Sequence, residues 1–499
     1  MQDPTISLNP NRLVAFLKKS ATDFTSNDII SFIEAHDIRM VNFRYVAEDG
    51  KLKTLNFVVN CRNYLRQILT YGERVDGSSL FSFIDAGSSD LYIIPRFRTA
   101  FVNPFSETPA LDILCSFYTN EGRPLENAPD YVLRKAHQHF KDRTGMTFKA
   151  LAELEYYINS EKETNYVVDD LRGYHLSAPF AKWEAFRQEA MMMIASAGGM
   201  IKYGHNEVGN FTSETEAFEQ HEIEFLSCEA EAAADQVVIA KWILRQLASE
   251  YGIELSFAPK ISVGKAGSGL HIHMMLEKNG VNMMVDGDHL SDQAKKMIAG
   301  ILELSPAITA FGNTIPTSYL RLVPNQEAPT SICWGDRNRS VLVRVPLGWL
   351  GQNRMVFDAN PAETAEEFQF PGKQTVEFRA ADGSADLHYL IAGLIVASLH
   401  GLESSGSIEK AERLYASSDI HKDSKKMKSF DRLPASCYES AQALKSARKI
   451  FEKDSVFPSG MIDNVIKKLT SYDDRGLSER LYGKTEEIRL LVLKYIHIC

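Results

Sequence analysis

Apolar and ionisable residues alternate along positions 270–274, and this pattern predicts a short β-strand. Leu270, Ile272 and Met274 would point to one face of the strand, and His271 and His273 to the other, because successive strand side chains alternate between faces. A loop of small residues comes directly before the segment. A strand that is apolar on one face and ionisable on the other, next to a glycine-rich loop, is typical of the wall of a polar cavity.

The same alternation recurs in three further β-prone segments. They place ionisable residues two positions apart: Glu153 and Glu155, Glu222 and Glu224, and Glu377 and Arg379. A solvent-facing antiparallel sheet also alternates polar and apolar residues, so a single pair would mean little. Four such segments together predict a sheet that wraps around a charged pocket.

The rest of the pattern predicts an α+β chain with two domains. We expect helical structure over about 12–36 with Ser26-Asn-Asp28 as a cap, and a hairpin of strands at 40–46 and 52–59. Further strands are expected at 90–95, 100–104 and 111–117, and helices at about 130–142, 183–197, 229–251, 291–305 and 387–402. The predicted division is a small N-terminal domain over 1–110 and a larger domain over 111–499.

Composition narrows the class of protein. The net charge of -10 over 499 residues provides no overall positive field, which argues against nucleic-acid binding. The apolar run 387–402 falls short of the ~20 residues that a membrane span needs. No secretory signal is recognisable at the start, and the six cysteines are scattered without a Cys-x-x-Cys motif. We therefore expect a cytoplasmic protein with reduced thiols and no membrane association.

The ionisable residues indicate phosphoryl-transfer chemistry. Carboxylates with a histidine, and without cysteine, suit a hard divalent cation such as Mg²⁺ or Mn²⁺. Several glutamates on one cavity could not all stay ionised without cations, because buried like charges raise one another's pKa. The arginines Arg321, Arg337, Arg339 and Arg344 are suited to bidentate contacts with carboxylate or phosphate oxygens. No P-loop is present, since Ser478 stands where Gly483-Lys-Thr485 would require a glycine, and the third glycine of a dinucleotide fingerprint is missing after Gly267-Ser-Gly269.

With these segments in view, the chain resembles the type I glutamine synthetases from about residue 15 to its C-terminus. The motifs that carry the resemblance follow the order of that family: Val75-Asp-Gly-Ser-Ser79, Glu153-Leu-Glu155, His205-Asn-Glu207, Gln220-His-Glu222, Gly267-Ser-Gly-Leu-His271, Arg321-Leu-Val-Pro-Asn-Gln-Glu-Ala-Pro329, Arg337-Asn-Arg-Ser340 and Glu377-Phe-Arg379. The resemblance implies a β-grasp-like N-terminal domain. It also implies a catalytic domain built on a curved antiparallel sheet that is flanked by helices.

The resemblance also implies two divalent cations, Mg²⁺ or Mn²⁺, in each active site. Glu155, Glu207 and Glu222 would hold the first, and Glu153, His271 and Glu377 the second. The substrate carboxylate would be held by Arg321 and Arg379 beside the Gly267 backbone, and ATP by His273, Arg339 and Arg344. Arg337 is expected to be structural, and Glu224 to lie outside the ligand set.

Three further roles follow from the same resemblance. Asp76 would bind ammonium and deprotonate it from a neighbouring subunit, with Tyr174 near the same pocket. Glu327, on a closing loop, would take a proton from the adduct. The expected reaction is phosphorylation of the glutamate side-chain carboxylate by ATP, followed by attack of ammonia on the γ-glutamyl phosphate. Shared sites imply a ring-shaped homo-oligomer, expected to be a dodecamer of two hexameric rings.

The sequence departs from the family pattern in four places. Ala266 replaces an asparagine before Gly-Ser-Gly, and Thr375 replaces an arginine two positions before Glu377. Additional residues separate Glu207 from Glu222, and an insertion covers 347–373, in which Arg354 is a candidate for the missing guanidinium.

These departures keep two alternative functions open. One is a γ-glutamyl-amine ligase that uses a polyamine or another amine. The other is a non-catalytic structural or regulatory oligomer of the same fold.

Overall fold

The computed structural model describes residues 6–85, 87, 89–324, 328–348, 355–363, 372–417 and 429–498. The strands are β1 (Met40–Val46), β2 (Leu52–Val58), β3 (Glu73–Asp76), β4 (Asp90–Pro95), β5 (Phe101–Val102), β6 (Ala110–Thr119), β7 (Thr147–Glu161), β8 (Ile201–Thr212), β9 (Glu216–Phe225), β10 (Cys228–Glu229), β11 (Glu254–Ser256), β12 (Leu270–Lys278), β13 (Val281–Asn282), β14 (Val285–Asp286), β15 (His289–Leu290), β16 (Trp334–Asp336), β17 (Val343–Val345) and β18 (Val376–Phe378).

The strands of the described residues form three sheets, the smallest being the pair β14 and β15, and helices connect them. The helices are α1 (Arg12–Leu17), α2 (Ser26–Ala35), α3 (Arg62–Tyr71), α4 (Pro129–Thr144), α5 (Glu184–Ser196), α6 (Ala230–Tyr251), α7 (Asp292–Gly312), α8 (Ser318–Arg321), α9 (Met355–Ala359), α10 (Leu387–Glu403), α11 (Ser407–Arg413), α12 (Cys437–Phe451), α13 (Ser459–Thr470), α14 (Leu477–Arg480) and α15 (Thr485–Tyr495). The α+β class predicted from the sequence is confirmed.

The N-terminal sheet has the order β2-β1-β6-β4-β3, with β5 paired to β6. The predicted hairpin β1–β2 is present, and β1 also pairs with β6 in the parallel direction. Helices α2 and α3 supply Phe32 and Leu65 to a core that includes Phe43 and Ile113. The predicted domain boundary near residue 110 stays a prediction, and β6, which begins there, lies in this first sheet.

The second sheet forms the wall of the site described below. Its order is β16-β17-β18-β12-β7-β9-β8, with β10 and β11 on β7 and β13 on β12. Its strands pair antiparallel except for β16 with β17. The apolar faces of Leu270, Ile272 and Met274 are almost fully buried in a core shared with α6, α7 and α10. The ionisable side chains project from the opposite face of this sheet.

The N-terminal helical segment differs from its prediction. Instead of one continuous stretch over 12–36, α1 and α2 are separated by a short 3-10 turn. The cap of α2 is Thr25, whose hydroxyl accepts from the backbone of Asp28, while the Asp28 carboxylate accepts from the backbone of Thr25. The cap therefore begins one residue before the predicted segment and forms a capping box.

The apolar run 387–402 forms α10, whose residues are mostly buried, as the sequence predicts. Among the described residues, no single helix is long and apolar enough to cross a membrane. Only α10 and α11 taken together pass that test by length and composition, and the two are bent by 110° at their junction.

Candidate active site

A cavity of about 1830 Å³ opens on the polar face of the second sheet. Most of the residues that the sequence singles out line it: Glu153, Glu155, Tyr174, Glu207, Glu222, Gly267, His271, His273, Arg321, Arg339, Arg344 and Arg379. Glu377 is fully buried and contacts several of them. Glu327 and Arg354 lie outside the described residues.

Strand register explains why residues far apart in sequence meet here. His271 on β12 lies opposite Glu153 on β7, and His273 lies opposite Glu377 on β18. On the other side of β7, Glu155 lies opposite Glu222 on β9. Because directly opposed side chains share a face of the sheet, the period-two spacing converts into contacts across neighbouring strands.

The loop before β12 needs glycine because it approaches the site closely. A Cβ added at Gly267 would come within 2.7 Å of the Pro259 carbonyl oxygen, and one at Gly269 within 2.6 Å of an Arg321 guanidinium nitrogen. The Gly269 N–H donates to the Glu155 carboxylate at 2.8 Å. The small residues therefore let the backbone itself contact the charged groups of the cavity.

Glu153 is the centre of the imidazole contacts. Its two carboxylate oxygens lie 2.8 Å from His271 Nδ1 and 2.8 Å from His273 Nε2. Burial opposes ionisation of Glu153, but the charge of His273 and the hydrogen bonds from both rings outweigh it. They hold the pKa of this carboxyl well below its ordinary value. Glu153 is therefore a charged ligand candidate at neutral pH.

Glu377 is bound by two arginines. Its carboxylate oxygens lie 2.6 Å from Arg379 and 3.1 Å from Arg344, and His271 Nδ1 is 3.6 Å away. Burial would raise its pKa, but the charge of Arg379 outweighs burial and lowers it. The arginines thus fix an ionised carboxylate at the edge of the cavity.

The pKa of Glu222 is shifted in the opposite direction. Burial and the charges of Glu153, Glu155 and Glu207 raise its pKa well above the ordinary value. The nearest imidazole is that of His205, 3.2 Å from Glu222 and 3.9 Å from Glu207. Carboxylates this crowded favour a bound cation, which would let them all ionise.

His205 is a site residue that the sequence interpretation did not select. Its ligand atom lies within 4.8 Å of those of Glu207 and Glu222, a spacing that could hold a metal ion. Burial lowers the pKa of His205, and neutral imidazole is the form that binds metals. The signal was present, because His205 stands two positions before Glu207 in the motif His205-Asn-Glu207.

The candidate ion-binding groups differ in membership from the predicted ligand sets. The structure groups Glu153 with His273 and Glu377, and Glu153 with Glu222 and His271. Together with the group of His205, Glu207 and Glu222, these groups contain five of the six predicted ligands. The sixth, Glu155, accepts from Gln220 and Gly269 and lies 3.8 Å from His271 Nε2.

The predicted substrate contacts lie around this cluster. Arg321 is buried and donates to the carbonyl oxygens of Ala380 and Ala381. Tyr174 is partly exposed and stacks on His175, with ring centroids 4.1 Å apart. His273 also contacts the Thr375 hydroxyl at 3.0 Å. Thr375, which stands where an arginine was expected, therefore helps to position this imidazole.

Asp76 is not one of the described residues that line this cavity. It is exposed at the end of β3, and hydrogen bonds from Ser79 and Ser78 lower its pKa, so it is ionised.

The extra residues between Glu207 and Glu222 lengthen a hairpin. Strands β8 and β9 continue their pairing beyond the site, from Asn210 opposite Glu219 to Thr212 opposite Ala217. The second insertion, 347–373, is described only in part and includes α9.

A mostly antiparallel sheet that presents buried carboxylates, imidazoles and arginines to one cavity is suited to the chemistry of cation-dependent, phosphate-handling enzymes. Comparisons with known proteins are more specific. A family model described as "Glutamine synthetase, catalytic domain" matches residues 126–469, and one described as "Glutamine synthetase, beta-Grasp domain" matches 37–120. The chain belongs to the glutamine synthetase family.

Individual relatives agree with this assignment. Glutamine synthetase of Methanococcus maripaludis is 28% identical over 445 residues, which cover 87% of this chain and 91% of that protein. That of Thermotoga maritima is 27% identical over 468 residues, 91% and 96% of the two chains. The cryoEM structure of Plasmodium falciparum glutamine synthetase superposes with a TM-score of 0.72 at 20% identity, covering 94% of this chain and 98% of that one. The predicted family, its fold with a β-grasp domain and the predicted ligase class are confirmed.

Proposed function

We propose that this chain joins ammonia to the side-chain carboxylate of L-glutamate, with ATP as the energy source, and releases glutamine, ADP and phosphate. One observation carries the proposal beyond family membership: carboxylates, imidazoles and arginines from β7, β8, β9, β12, β17 and β18 converge on one cavity. Such a site can bind phosphates and cations together, which is what phosphoryl transfer to a carboxylate requires.

Two divalent cations, Mg²⁺ or Mn²⁺, fit the donor set. Glu155, Glu207 and Glu222 would hold the first, and Glu153, His271 and Glu377 the second. The crowding that raises the pKa of Glu222 supports a cation there. When bound, such ions neutralise phosphate charge and polarise the reacting oxygens.

The chain's own residues position the substrates. Arg321 and Arg379, beside the Gly267 backbone, would bind the α-carboxylate of glutamate. His273, Arg339 and Arg344 would contact the nucleotide phosphates, and Arg339 would stabilise charge on the transferring phosphoryl group. The γ-phosphoryl group passes to a side-chain oxygen of glutamate, which converts a poor leaving group into a good one.

Ammonia then attacks the carbonyl carbon of the γ-glutamyl phosphate, and phosphate leaves. Asp76 of a neighbouring subunit would bind ammonium beside Tyr174 and take its first proton. Glu327 would take the second proton from the adduct. Water must be kept out of this step, because it would hydrolyse the acyl phosphate.

A shared site requires an oligomer. Asp76 is ionised and exposed, and it does not line the cavity of its own chain. This supports a homo-oligomer with sites between subunits, for which we propose a dodecamer of two hexameric rings in the cytoplasm.

The test is a quantitative assay of purified protein with ATP, Mg²⁺ or Mn²⁺, glutamate and ammonium. We expect glutamine, ADP and phosphate in equal amounts, and little ADP when ammonium is left out. A panel of amines, including polyamines, should replace ammonium poorly. ATP hydrolysis without formation of any γ-glutamyl amide would refute the proposal. An Asp76→Asn variant mixed with an inactive cavity variant should regain activity through mixed rings.

A further inference from the structure

A sixth glutamate, Glu224, faces the cavity without belonging to either proposed ligand set. It lies on β9, opposite Glu153 of β7 on one side and Tyr203 of β8 on the other. It lines the cavity although only 2% of its surface is exposed. One of its carboxylate oxygens has no hydrogen-bond partner among the described residues. A buried, half-satisfied carboxylate is costly unless a cation compensates its charge.

The compensating cation belongs to the chain itself. Lys202 Nζ lies 2.6 Å from the other oxygen of Glu224. The Lys202 side chain is 40% exposed and passes over the Tyr203 ring, with Nζ 4.9 Å from the ring centroid. The ammonium therefore reaches the buried carboxylate from the open side of the cavity, while its stem covers an aromatic surface.

A β-bulge places Lys202 there. The register of β8 on β9 shifts between Ile201 opposite Phe225 and Tyr203 opposite Glu224, so Lys202 is an extra residue without a cross-strand partner. A bulge breaks the alternation of side chains and redirects the inserted residue. Without it, Lys202 and Tyr203 would point to opposite faces of the sheet.

Glu224 and Glu153 are directly opposed on neighbouring strands, where Cβ atoms lie about 5 Å apart and like charges repel. Glu153 is balanced by His271 and His273, and Glu224 by Lys202. We propose that Lys202 acts as a tethered cation that occupies the place of a further divalent ion beside Glu224, so that the cavity binds two such ions and not three. This inference rests on the proposed function, because it presupposes the two-cation site.

The chain offers a matched control on the same wall. Lys149 Nζ lies 2.5 Å from Glu277, and both residues line the cavity. The Glu277 side chain is 23% exposed, against 2% for that of Glu224. Loss of Lys149 removes the same charge but leaves a carboxylate that water can solvate.

The experiment is a titration of the metal-free oligomer with MnCl₂ alone, in which free Mn²⁺ is measured by electron paramagnetic resonance. The variants are Lys202→Met, Lys149→Met and the double variant Lys202→Met with Glu224→Gln. We expect Lys202→Met to bind one more Mn²⁺ per chain than the wild type. Lys149→Met and the double variant should bind the wild-type number.

An unchanged stoichiometry in Lys202→Met, with a melting curve showing that the variant is folded, would overturn the inference. So would an extra ion that persists in the double variant. If the wild type itself binds no Mn²⁺, the two-cation proposal fails first, and this outcome is distinguishable from the others. Lys202→Arg, which keeps the tethered charge, should retain the wild-type stoichiometry.

Discussion

Two regions of the molecule bury carboxylates, and one carboxylate from each region, Asp235 and Glu222, has its pKa shifted in the opposite direction from the other. At the junction between the N-terminal sheet and α6, Asp235 accepts two hydrogen bonds from Arg96, at 2.5 and 2.9 Å, and lies 3.4 Å from His388. Although burial opposes ionisation, the charge of Arg96 holds the pKa of Asp235 below its ordinary value. In the cavity, burial and neighbouring glutamates raise the pKa of Glu222.

The difference separates a structural charge from a functional one. We call Arg96 and Asp235 at the junction a closed pair, because the fold holds the Arg96 guanidinium beside Asp235 and so neutralises its charge permanently. We call the charges in the cavity an open cluster, because several glutamates there share too few fixed cations. A bound cation would lower the cost of burying their charges. A buried carboxylate by itself indicates neither role. The cavity differs from the junction because Glu222 lies among other glutamates that raise its pKa, whereas Asp235 has a guanidinium of its own.

Breaking the closed pair should give the largest effect. Arg96→Met would leave Asp235 buried without its bidentate partner, and we expect a loss of about 3–5 kcal/mol in unfolding free energy. Denaturant unfolding measures this loss. Turnover of the protein that remains folded should change little. As a control, Arg123→Met removes an exposed ion pair with Glu121, which should cost at most about 1 kcal/mol. Equal losses in both variants would show that burial does not make the Arg96–Asp235 pair costlier to break than an exposed pair.

The opposite result is expected in the cavity. Glu153→Gln keeps the shape of the side chain but removes a charge that two imidazoles and the proposed cation share, so turnover should fall by roughly 10²–10³-fold. The melting midpoint should stay close to that of the wild type. Steady-state assays and melting curves measure the two quantities. Glu161→Gln, at the exposed far end of the same strand β7, is the matched control and should leave turnover unchanged.

Added divalent cations should stabilise the protein only through the open cluster of glutamates in the cavity. Mn²⁺ at about one hundred times its dissociation constant should stabilise the metal-free protein by about 2.7 kcal/mol for each site. Thermal melting with and without EDTA measures the shift. Arg96→Met should gain as much from Mn²⁺ as the wild type, whereas Glu153→Gln should gain much less. A full gain in Glu153→Gln would contradict the ligand role of Glu153.

Acid should weaken the closed pair gradually. Since the pKa of Asp235 is lowered in the folded chain, its contribution is present above the ordinary pKa of about 4 and is lost as the pH falls below it. One proton changes the free energy of unfolding by at most about 1.4 kcal/mol per pH unit. The stability difference between wild type and Arg96→Met should therefore shrink as the pH falls below about 4. A difference independent of pH would show that Arg96 stabilises the junction by packing alone.

Local rules predicted much of this site. Alternation placed His271 and His273 on one face of a strand, and the structure shows both rings on Glu153. The same rule could not have placed Lys202, because a β-bulge there breaks the period of two. A bulge depends on how two strands align over their whole length. The residue type at position 202 therefore does not predict it.

The sequence by itself determined most of the long helices, the alternating faces of four strands and the family, because these depend on short-range periodicity and on motif order. Only the tertiary structure decided which charges meet. His205 joins Glu207 and Glu222, Lys202 joins Glu224, and Arg96 joins Asp235 across 139 positions. Such pairs are set by strand register and by the packing of α6 against the N-terminal sheet. Both come from the collective burial of the core, which no single segment encodes.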